Sequence, residues 1–209
     1  MNAQIDNFKT FSGRRASQHP VELDSFIELM RNQGCKRYLE LGARHGDTFH
    51  YVVSSLPSID TAVAIDLPGG PWGTLMSSSP LRRAADNLVS ERPSLQVEAL
   101  LGNSQSAEII RQARDYGPYD FVFIDADHRY AGVLADWNVY KLMTRFCAFH
   151  DISGVGVTSK TPDRLPVEVP RLWAELRAAF VGKSWEFIAP DSAMGIGVVE
   201  VGLPQEQTP

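Results

Sequence analysis

The stretch of sequence that decides the fold is Tyr38-Leu39-Glu40-Leu41-Gly42-Ala43-Arg44-His45-Gly46-Asp47-Thr48-Phe49. It opens with an apolar run that is typical of a buried strand, and it then turns on Gly42 and Gly46. After the turn, Phe49 begins a segment in which apolar residues recur at helical spacing. A strand that passes through glycines into a helix brings backbone N–H groups and bare Cα atoms to the strand's carboxyl end, where a polar ligand can approach closely. The stretch therefore predicts the binding turn of a nucleotide-type pocket, with Glu40 as a nearby hydrogen-bond acceptor.

The composition is that of an ordinary globular protein and excludes several classes of function. Of the 209 residues, 44% are apolar and 22% are charged, and the net charge is −5. Because no cluster of Lys and Arg could follow a phosphate backbone, we expect no nucleic-acid partner. No run approaches the ~18 apolar residues of a membrane span, and the polar first twenty residues lack a signal peptide. Cys35 and Cys147 are expected as buried, reduced thiols. These features predict a cytoplasmic protein without a membrane partner.

The order of apolar runs and turns predicts one domain with an N-terminal arm. Residues 1–19 are polar and irregular, which indicates either a mobile arm or a lid over the pocket. Residues 20–209 are expected to form a single domain that begins with a helix at Pro20. Strands then alternate with helices and end in two strands with only a short link, which favours antiparallel pairing. The predicted strands are 36–41, 61–66, 95–101, 119–125, 145–149, 185–189 and 195–201. This alternation predicts a doubly wound α/β sheet.

Polar side chains follow the first five predicted strands, at the point where each strand ends. They are Glu40, Asp66, Asn103, Asp125 and the pair His150-Asp151. Right-handed crossovers bring the carboxyl ends of parallel strands to one edge of the sheet. Ligands of open α/β sheets bind at that edge, so these residues are the candidate site.

With these motifs the sequence resembles the class I S-adenosylmethionine-dependent methyltransferases. Within that class it is most similar to small-molecule O-methyltransferases related to the macrocin and rhamnosyl O-methyltransferases and to the cephalosporin-hydroxylase-like group. The resemblance spans about residues 36–201 and implies a Rossmann-like, seven-stranded sheet in the order 3-2-1-4-5-7-6 with a reversed last strand. It rests on the segments Glu40–Gly46, Gly102-Asn103-Ser104, Phe123–His128 with Tyr130, and Phe149-His150-Asp151, together with Asp66.

The resemblance implies where S-adenosylmethionine would bind. Its methionine part would lie against the turn formed by Gly42, Ala43, Arg44 and Gly46, with Glu40 and Asp125 nearby. Asp66 would accept hydrogen bonds from both ribose hydroxyls. Asn103 and Ser104 would flank adenine. Arg44 replaces the usual middle glycine of the turn, so that either the turn is less tight or the guanidinium pairs with the carboxylate of the cofactor.

The resemblance also implies a base and a metal site. His128 or Asp127 would remove the proton of the acceptor hydroxyl, since imidazole is mostly neutral at pH 7. The competing interpretations are a helix-terminal histidine and a helix-capping aspartate. Asp125, His150 and Asp151 would bind a divalent ion: two carboxylates suit Mg²⁺, while the imidazole shifts the preference toward Mn²⁺. His150 could instead support these carboxylates or simply end the strand.

The sequence leaves the substrate and two other functions open. The acceptor would be a small polar molecule, of a sugar or natural-product type, in a pocket shaped by loops 67–80 and 153–166. Trp72 in the first loop would cover adenine, line that pocket or lie on the surface. An NAD(P)-dependent oxidoreductase is the main alternative, although its fingerprint requires three glycines where this turn offers Gly42 and Gly46. A cofactor-binding protein without catalysis is another. The oligomeric state is left open as well, and a homodimer is one possibility, since exposed N-terminal arms often mediate dimer contacts in such enzymes.

Overall fold

The computed structural model describes residues 18–70, 72, 78–154, 157–158 and 164–202. Most of the predicted arm, and parts of both predicted loops, lie outside these residues. The helices are α1 (Pro20–Asn32), α2 (Asp47–Ser55), α3 (Ser78–Glu91), α4 (Ala107–Asp115), α5 (Tyr130–Tyr140) and α6 (Val169–Ala179). The strands are β1 (Arg37–Leu41), β2 (Thr61–Asp66), β3 (Gln96–Leu101), β4 (Tyr119–Ile124), β5 (Thr144–His150), β6 (Ser184–Phe187) and β7 (Ile196–Glu200). A short 3-10 helix, Lys141–Met143, joins α5 to β5.

The seven strands form one sheet in the order β3-β2-β1-β4-β5-β7-β6. Strands β1 to β5 pair in parallel, whereas β7 pairs antiparallel with both β5 and β6. The predicted doubly wound sheet, its strand order and its reversed last strand are therefore confirmed.

The sheet has a hydrophobic core on each face, because its central strands are apolar at nearly every position. Successive side chains of a strand point to opposite faces, so that Tyr38 packs in one core and Leu39 in the other. Helices α1, α2 and α3 cover the first face, and α4, α5 and α6 cover the second. Both cysteines are buried free thiols, as predicted. None of the helices in the described part of the chain is long and apolar enough to cross a membrane.

The register of the parallel strands brings the candidate residues to one edge. Leu41 of β1 pairs with Ile65 of β2 and with Ile124 of β4, and Ile124 pairs in turn with Phe149 of β5. Each of these residues stands at or next to the carboxyl end of its strand. The polar groups that follow them therefore meet above the sheet, as the strand-end pattern predicted.

Candidate functional site

The turn between β1 and α2 depends on two glycines. Gly42 has a φ of 83°, and a Cβ atom on it would lie 2.1 Å from the main-chain oxygen of Asp125. Gly46, at the start of α2, has a φ of 81°, and its Cβ would lie 2.8 Å from the Cβ of Ala84. Larger residues would push the turn away from β4 and α3. The glycines thus let the main chain of the turn lie directly against the end of β4.

Arg44 adopts the conformation that a glycine would have at its position. Its φ is 51°, in the left-handed region, and its N–H donates a 2.9 Å hydrogen bond to Oδ1 of Asp66. The arginine therefore leaves the turn tight, and its exposed side chain lies at the edge of the site. Asp66 is buried at the end of β2 and is oriented by this bond.

Glu40 is a buried carboxyl group beneath the turn. It accepts a 2.7 Å hydrogen bond from the hydroxyl of Tyr38. Burial, together with the charges of Asp125 and Asp66, raises the pKa of Glu40 to about 8, although the hydrogen bond from Tyr38 opposes this shift. Without a cation nearby the group therefore holds a proton at neutral pH. A cationic ligand beside it would favour the carboxylate.

The loop after β3 carries the residues that were expected to flank adenine. Asn103 is exposed, and its Oδ1 accepts a 2.9 Å hydrogen bond from the N–H of Gln105, so that its Nδ2 remains as a donor. Ser104 is buried, and its hydroxyl donates a 2.8 Å hydrogen bond to Asp136 of α5. The two neighbours therefore differ: Asn103 faces solvent, while Ser104 anchors the loop.

Two carboxylates and two imidazoles form what we call the Asp–His cluster, made of Asp125, His128, His150 and Asp151. Nδ1 of His128 lies 2.7 Å from Oδ2 of Asp151, and its Nε2 lies 3.8 Å from Oδ1 of Asp125. Nδ1 of His150 lies 3.2 Å from Oδ1 of Asp125 and 3.0 Å from Oδ1 of Asp151. The cluster is nearly closed to solvent, so that each charge depends on its neighbours for compensation.

The electrostatics of the cluster follow from this pairing. Burial lowers the pKa of His150, but the carboxylates of Asp125 and Asp151 outweigh burial and raise that pKa to about 9. The same balance raises the pKa of His128, chiefly through its hydrogen bond to Asp151. Burial raises the pKa of Asp151, but the bond and charges of the two histidines bring it below its usual value.

The structure groups these side chains differently from the sequence interpretation. Ligand atoms of Asp125, His128 and Asp151 all lie within 4.8 Å of one another, as a shared metal ion requires. His150, which the sequence analysis assigned to the metal, has its Nδ1 between the two carboxylates. Its buried Nε2 has no hydrogen-bond partner in the described part of the chain. His128, which was assigned as a base, thus has the geometry of a metal ligand as well.

Asp127 is engaged elsewhere. Its carboxylate accepts hydrogen bonds from the N–H and the guanidinium of Arg129 and from Nε1 of Trp72. Burial acts to raise the pKa of Asp127, but the bonds and charge of Arg129 lower it overall. The Trp72 ring also lies over His128, with ring centroids 4.3 Å apart. The loop tryptophan therefore packs against His128 and is held there by its bond to Asp127.

Sequence reasoning missed two buried residues near the start of α1. Gln18 is only 4% exposed; its Nε2 donates a 2.6 Å hydrogen bond to Oδ2 of Asp125, and its Oε1 accepts from the hydroxyl of Thr48. Glu22, 1% exposed, accepts a hydrogen bond from the N–H of Ala189. Gln18 and Glu22 belong to no motif. Their spacing of four residues at the start of a helix was the only sequence feature that could have indicated a shared role.

The chain belongs to a family of methyltransferase domains, since the family model described as "Methyltransferase domain" matches residues 39–151, more than half of the chain. Together with the strand order, this match makes it a class I S-adenosylmethionine-dependent methyltransferase. The match favours this class over the nicotinamide-dependent alternative. A comparison with curated protein sequences found no significant match.

Solved structures of similar fold include O-methyltransferases. One is the O-methyltransferase from Bacillus cereus in complex with SAH, at 19% identity over 88% of this chain and 82% of that chain, with a TM-score of 0.61. Another is TomG from Streptomyces achromogenes, involved in tomaymycin synthesis and solved with SAM, at 18% identity over 89% and 82%, with a TM-score of 0.61. A third is the MycE methyltransferase of the mycinamycin biosynthetic pathway, solved with Mg and SAH, at 19% identity over 89% and 50%, with a TM-score of 0.55. At these identities the likenesses establish the fold.

Proposed function

We propose that this protein is an O-methyltransferase that acts on a hydroxyl group of a small polar acceptor. The observation that carries the proposal is the pairing of His128 with Asp151 at the carboxyl edge of the sheet, within the cluster that lies against the glycine turn. The named activity of the similar structures supports oxygen as the atom that is methylated.

The residues present fit S-adenosylmethionine, which supplies the methyl group on a sulfonium carbon and leaves as a thioether. The N-terminus of α2, which no side chain caps, would favour the carboxylate at the amino-acid end of the cofactor. Glu40 would be ionised beside the sulfonium and ammonium groups of the cofactor. Asp66, oriented by the N–H of Arg44, would accept hydrogen bonds from the ribose hydroxyls. Nδ2 of Asn103 would donate a hydrogen bond to a ring nitrogen of adenine.

His128 is the stronger of the two candidate bases. When His128 is neutral and its Nδ1–H donates to Asp151, its Nε2 is left as the proton acceptor; because the pKa of His128 is raised, this form gains as the pH rises. The acceptor oxygen would form its bond to the methyl carbon as its proton passes to this nitrogen. Asp127 is the weaker candidate, because Arg129 and Trp72 occupy its oxygens and its pKa is lowered.

A divalent ion also fits the Asp–His cluster. Mg²⁺ or Mn²⁺ bound there would lower the pKa of the acceptor hydroxyl. Asp125 and Asp151 would supply carboxylate ligands in either arrangement. The third ligand would be His150 through Nδ1, which lies next to both carboxylates, or His128, whose nitrogen lies within reach of both. His128 serves as the base only in the first arrangement.

The test is methyl transfer from radiolabelled S-adenosylmethionine to a panel of sugar and phenolic hydroxyl compounds. We expect transfer to at least one member of the panel. His128→Ala should lower turnover by a factor of about 100 or more, with the affinity for SAH nearly unchanged. His50→Gln is the matched control, because His50 is a buried histidine that contacts Asn87 of α3, outside the cluster. Turnover by His128→Ala at the wild-type rate would refute the base assignment.

The role of the metal is decided by chelation. If an ion takes part, EDTA should abolish turnover and Mg²⁺ or Mn²⁺ should restore it. Binding of Mn²⁺ to His128→Ala, followed by electron paramagnetic resonance, then separates the two arrangements. Retained binding leaves His128 available as the base, and lost binding identifies it as a ligand. Full turnover in EDTA would contradict the metal proposal while leaving methyl transfer in place.

A further inference from the structure

Helix α5 holds the loop after β3 at three points, one on each of three successive turns. The main-chain oxygen of Gly132 accepts a 3.2 Å hydrogen bond from Nε2 of Gln105. One turn later, Oδ1 of Asp136 accepts a 2.8 Å hydrogen bond from the hydroxyl of Ser104. One further turn on, the hydroxyl of Tyr140 donates a 2.8 Å hydrogen bond to the main-chain oxygen of Ser104. This spacing of four residues places all three contacts on one face of α5.

Asp136 is an unusual residue for the middle of this contact. It is fully buried, at 0% exposure, and its Oδ2 has no hydrogen-bond partner among the described residues. A buried carboxyl group with one unsatisfied oxygen destabilises a fold relative to an apolar residue of similar size. Burial raises the pKa of Asp136 to about 6, and the bond from Ser104 opposes the shift. At pH 7.5 the group is therefore mainly ionised, and its bond to Ser104 is charge-assisted.

The loop that Asp136 holds begins beside Asp66, the carboxylate proposed to bind the ribose of the cofactor. Leu101 pairs with Asp66 in the sheet, and the N–H of Gly102 donates a 2.8 Å hydrogen bond to the main-chain oxygen of Asp66. Since adenine is attached directly to the ribose, the loop at residues 102–106 is within reach of the base. Asn103, the exposed residue of this loop, stands directly before the anchored Ser104.

We propose that Asp136 is a positioning residue for adenine recognition, which fixes the loop after β3 through Ser104 so that Asn103 meets the base of the cofactor. This inference rests on the proposed function. Asp136 and Ser104 act together through one hydrogen bond, and Tyr140 supports the same loop from the next turn. The buried carboxylate thus holds the loop that meets the base, at a cost to stability.

The test measures the affinities for SAH and for S-inosylhomocysteine by calorimetry at pH 7.5. The second probe differs from SAH only in the purine, where a carbonyl replaces the amine. Ser104→Ala and Asp136→Ala should each weaken SAH binding about tenfold or more, and the double variant should lose little beyond either single variant. Each single variant should also reduce the ratio of the affinity for SAH to the affinity for S-inosylhomocysteine. A general loss of stability would leave this ratio unchanged. Asp136→Asn, which keeps an acceptor for Ser104, should recover most of the affinity.

Tyr119→Phe is the matched control for Tyr140→Phe. The hydroxyl of Tyr119 is also buried and also donates a hydrogen bond to a main-chain oxygen, that of Ala113. Tyr119, however, begins β4, at the end of the strand away from the proposed cofactor site. Tyr140→Phe should weaken SAH binding, and Tyr119→Phe should not. If Asp136→Ala fails to fold, Ser104→Ala and Tyr140→Phe decide the matter. Wild-type affinity and base preference in these variants would refute the inference alone, whereas a wild type that binds no SAH would refute the proposed function as well.

Discussion

Gly42 is the residue on which the turn between β1 and α2 depends most directly. It combines a left-handed backbone with a main-chain neighbour, the oxygen of Asp125, that has no flexible end to move aside. Gly34 has a similar φ of 69° but has nothing within 4 Å of its Cβ position. A comparison of substitutions at Gly42 and Gly34 therefore separates the effect of backbone strain from that of steric exclusion.

Gly42→Ala is expected to abolish SAH binding and to lower the free energy of unfolding by about 3 kcal/mol or more, because strain and overpacking add. Gly34→Ala, which carries only the strain, should cost about 1 kcal/mol and leave SAH binding intact. Urea unfolding and calorimetric titration of both variants measure these effects. Equal losses in the two variants would show that the contact with Asp125 is unimportant.

The raised pKa of Glu40 predicts how the stability of the protein depends on pH. Its pKa rises from an ordinary 4.5 to about 8 in the folded protein, so the unfolded chain releases this proton first. Stability is therefore lost as the pH rises from about 4.5 to about 8, by about 3 kcal/mol at pH 7. Glu40→Gln should remove this loss, making the cofactor-free protein more stable at pH 8, and should weaken SAH binding. Urea unfolding at pH 5.5 and pH 8 is the measurement.

Glu28→Gln provides the control for that experiment, because Glu28 is exposed on α1. Its unfolding curve should follow that of the wild type at both pH values. A Glu40→Gln protein whose stability falls with pH as the wild type's does would mean that another group is responsible.

At the scale of elements, the start of α1 contacts the candidate site. His19 caps the helix through Nδ1, while its neighbour Gln18 joins Asp125 to Thr48 on α2. The sequence placed the helix correctly but predicted residues 1–19 as an arm. It could not show that Gln18 reaches a carboxylate 107 positions away, because such contacts depend on how the elements pack.

Gln18→Ala should remove the donor to Oδ2 of Asp125 and destabilise the protein by about 1–3 kcal/mol. Because Asp125 then loses its orientation, SAH binding should weaken also. His19→Ala should cost about 1 kcal/mol through loss of the cap but leave SAH binding unchanged. Thermal unfolding and calorimetry on the two variants compare these outcomes. Unchanged SAH affinity in Gln18→Ala would limit Gln18 to a structural role.

The sequence predicted the elements well for a physical reason. Continuous apolar runs such as Thr61–Asp66 mark strands that are covered on both faces, and a polar residue at each end marks the edge where ligands bind. Local patterns of this kind do not depend on tertiary contacts. The distribution of roles within the Asp–His cluster does depend on them, because only the packed structure shows that His128 lies between Asp125 and Asp151.

For the whole molecule, the seven-stranded sheet and the family match define a methyltransferase, and the candidate residues meet at one proposed cofactor site. The glycine turn, Asp66, the loop held by α5 and the Asp–His cluster all belong to the carboxyl edge of the same sheet. The class could be predicted from the sequence because these residues follow strand ends. The acceptor could not, because loops 67–80 and 153–166 carry no recognisable motif.

The most direct test of this account is a calorimetric titration of SAH into the purified protein, first in EDTA and then in Mg²⁺, with NADH as the comparison ligand. We predict one site per chain with an affinity of about micromolar for SAH, equivalent to about 8 kcal/mol, and no heat from NADH. A larger or tighter response in Mg²⁺ would support an ion in the Asp–His cluster. A folded protein that binds no SAH under either condition would contradict the central claim.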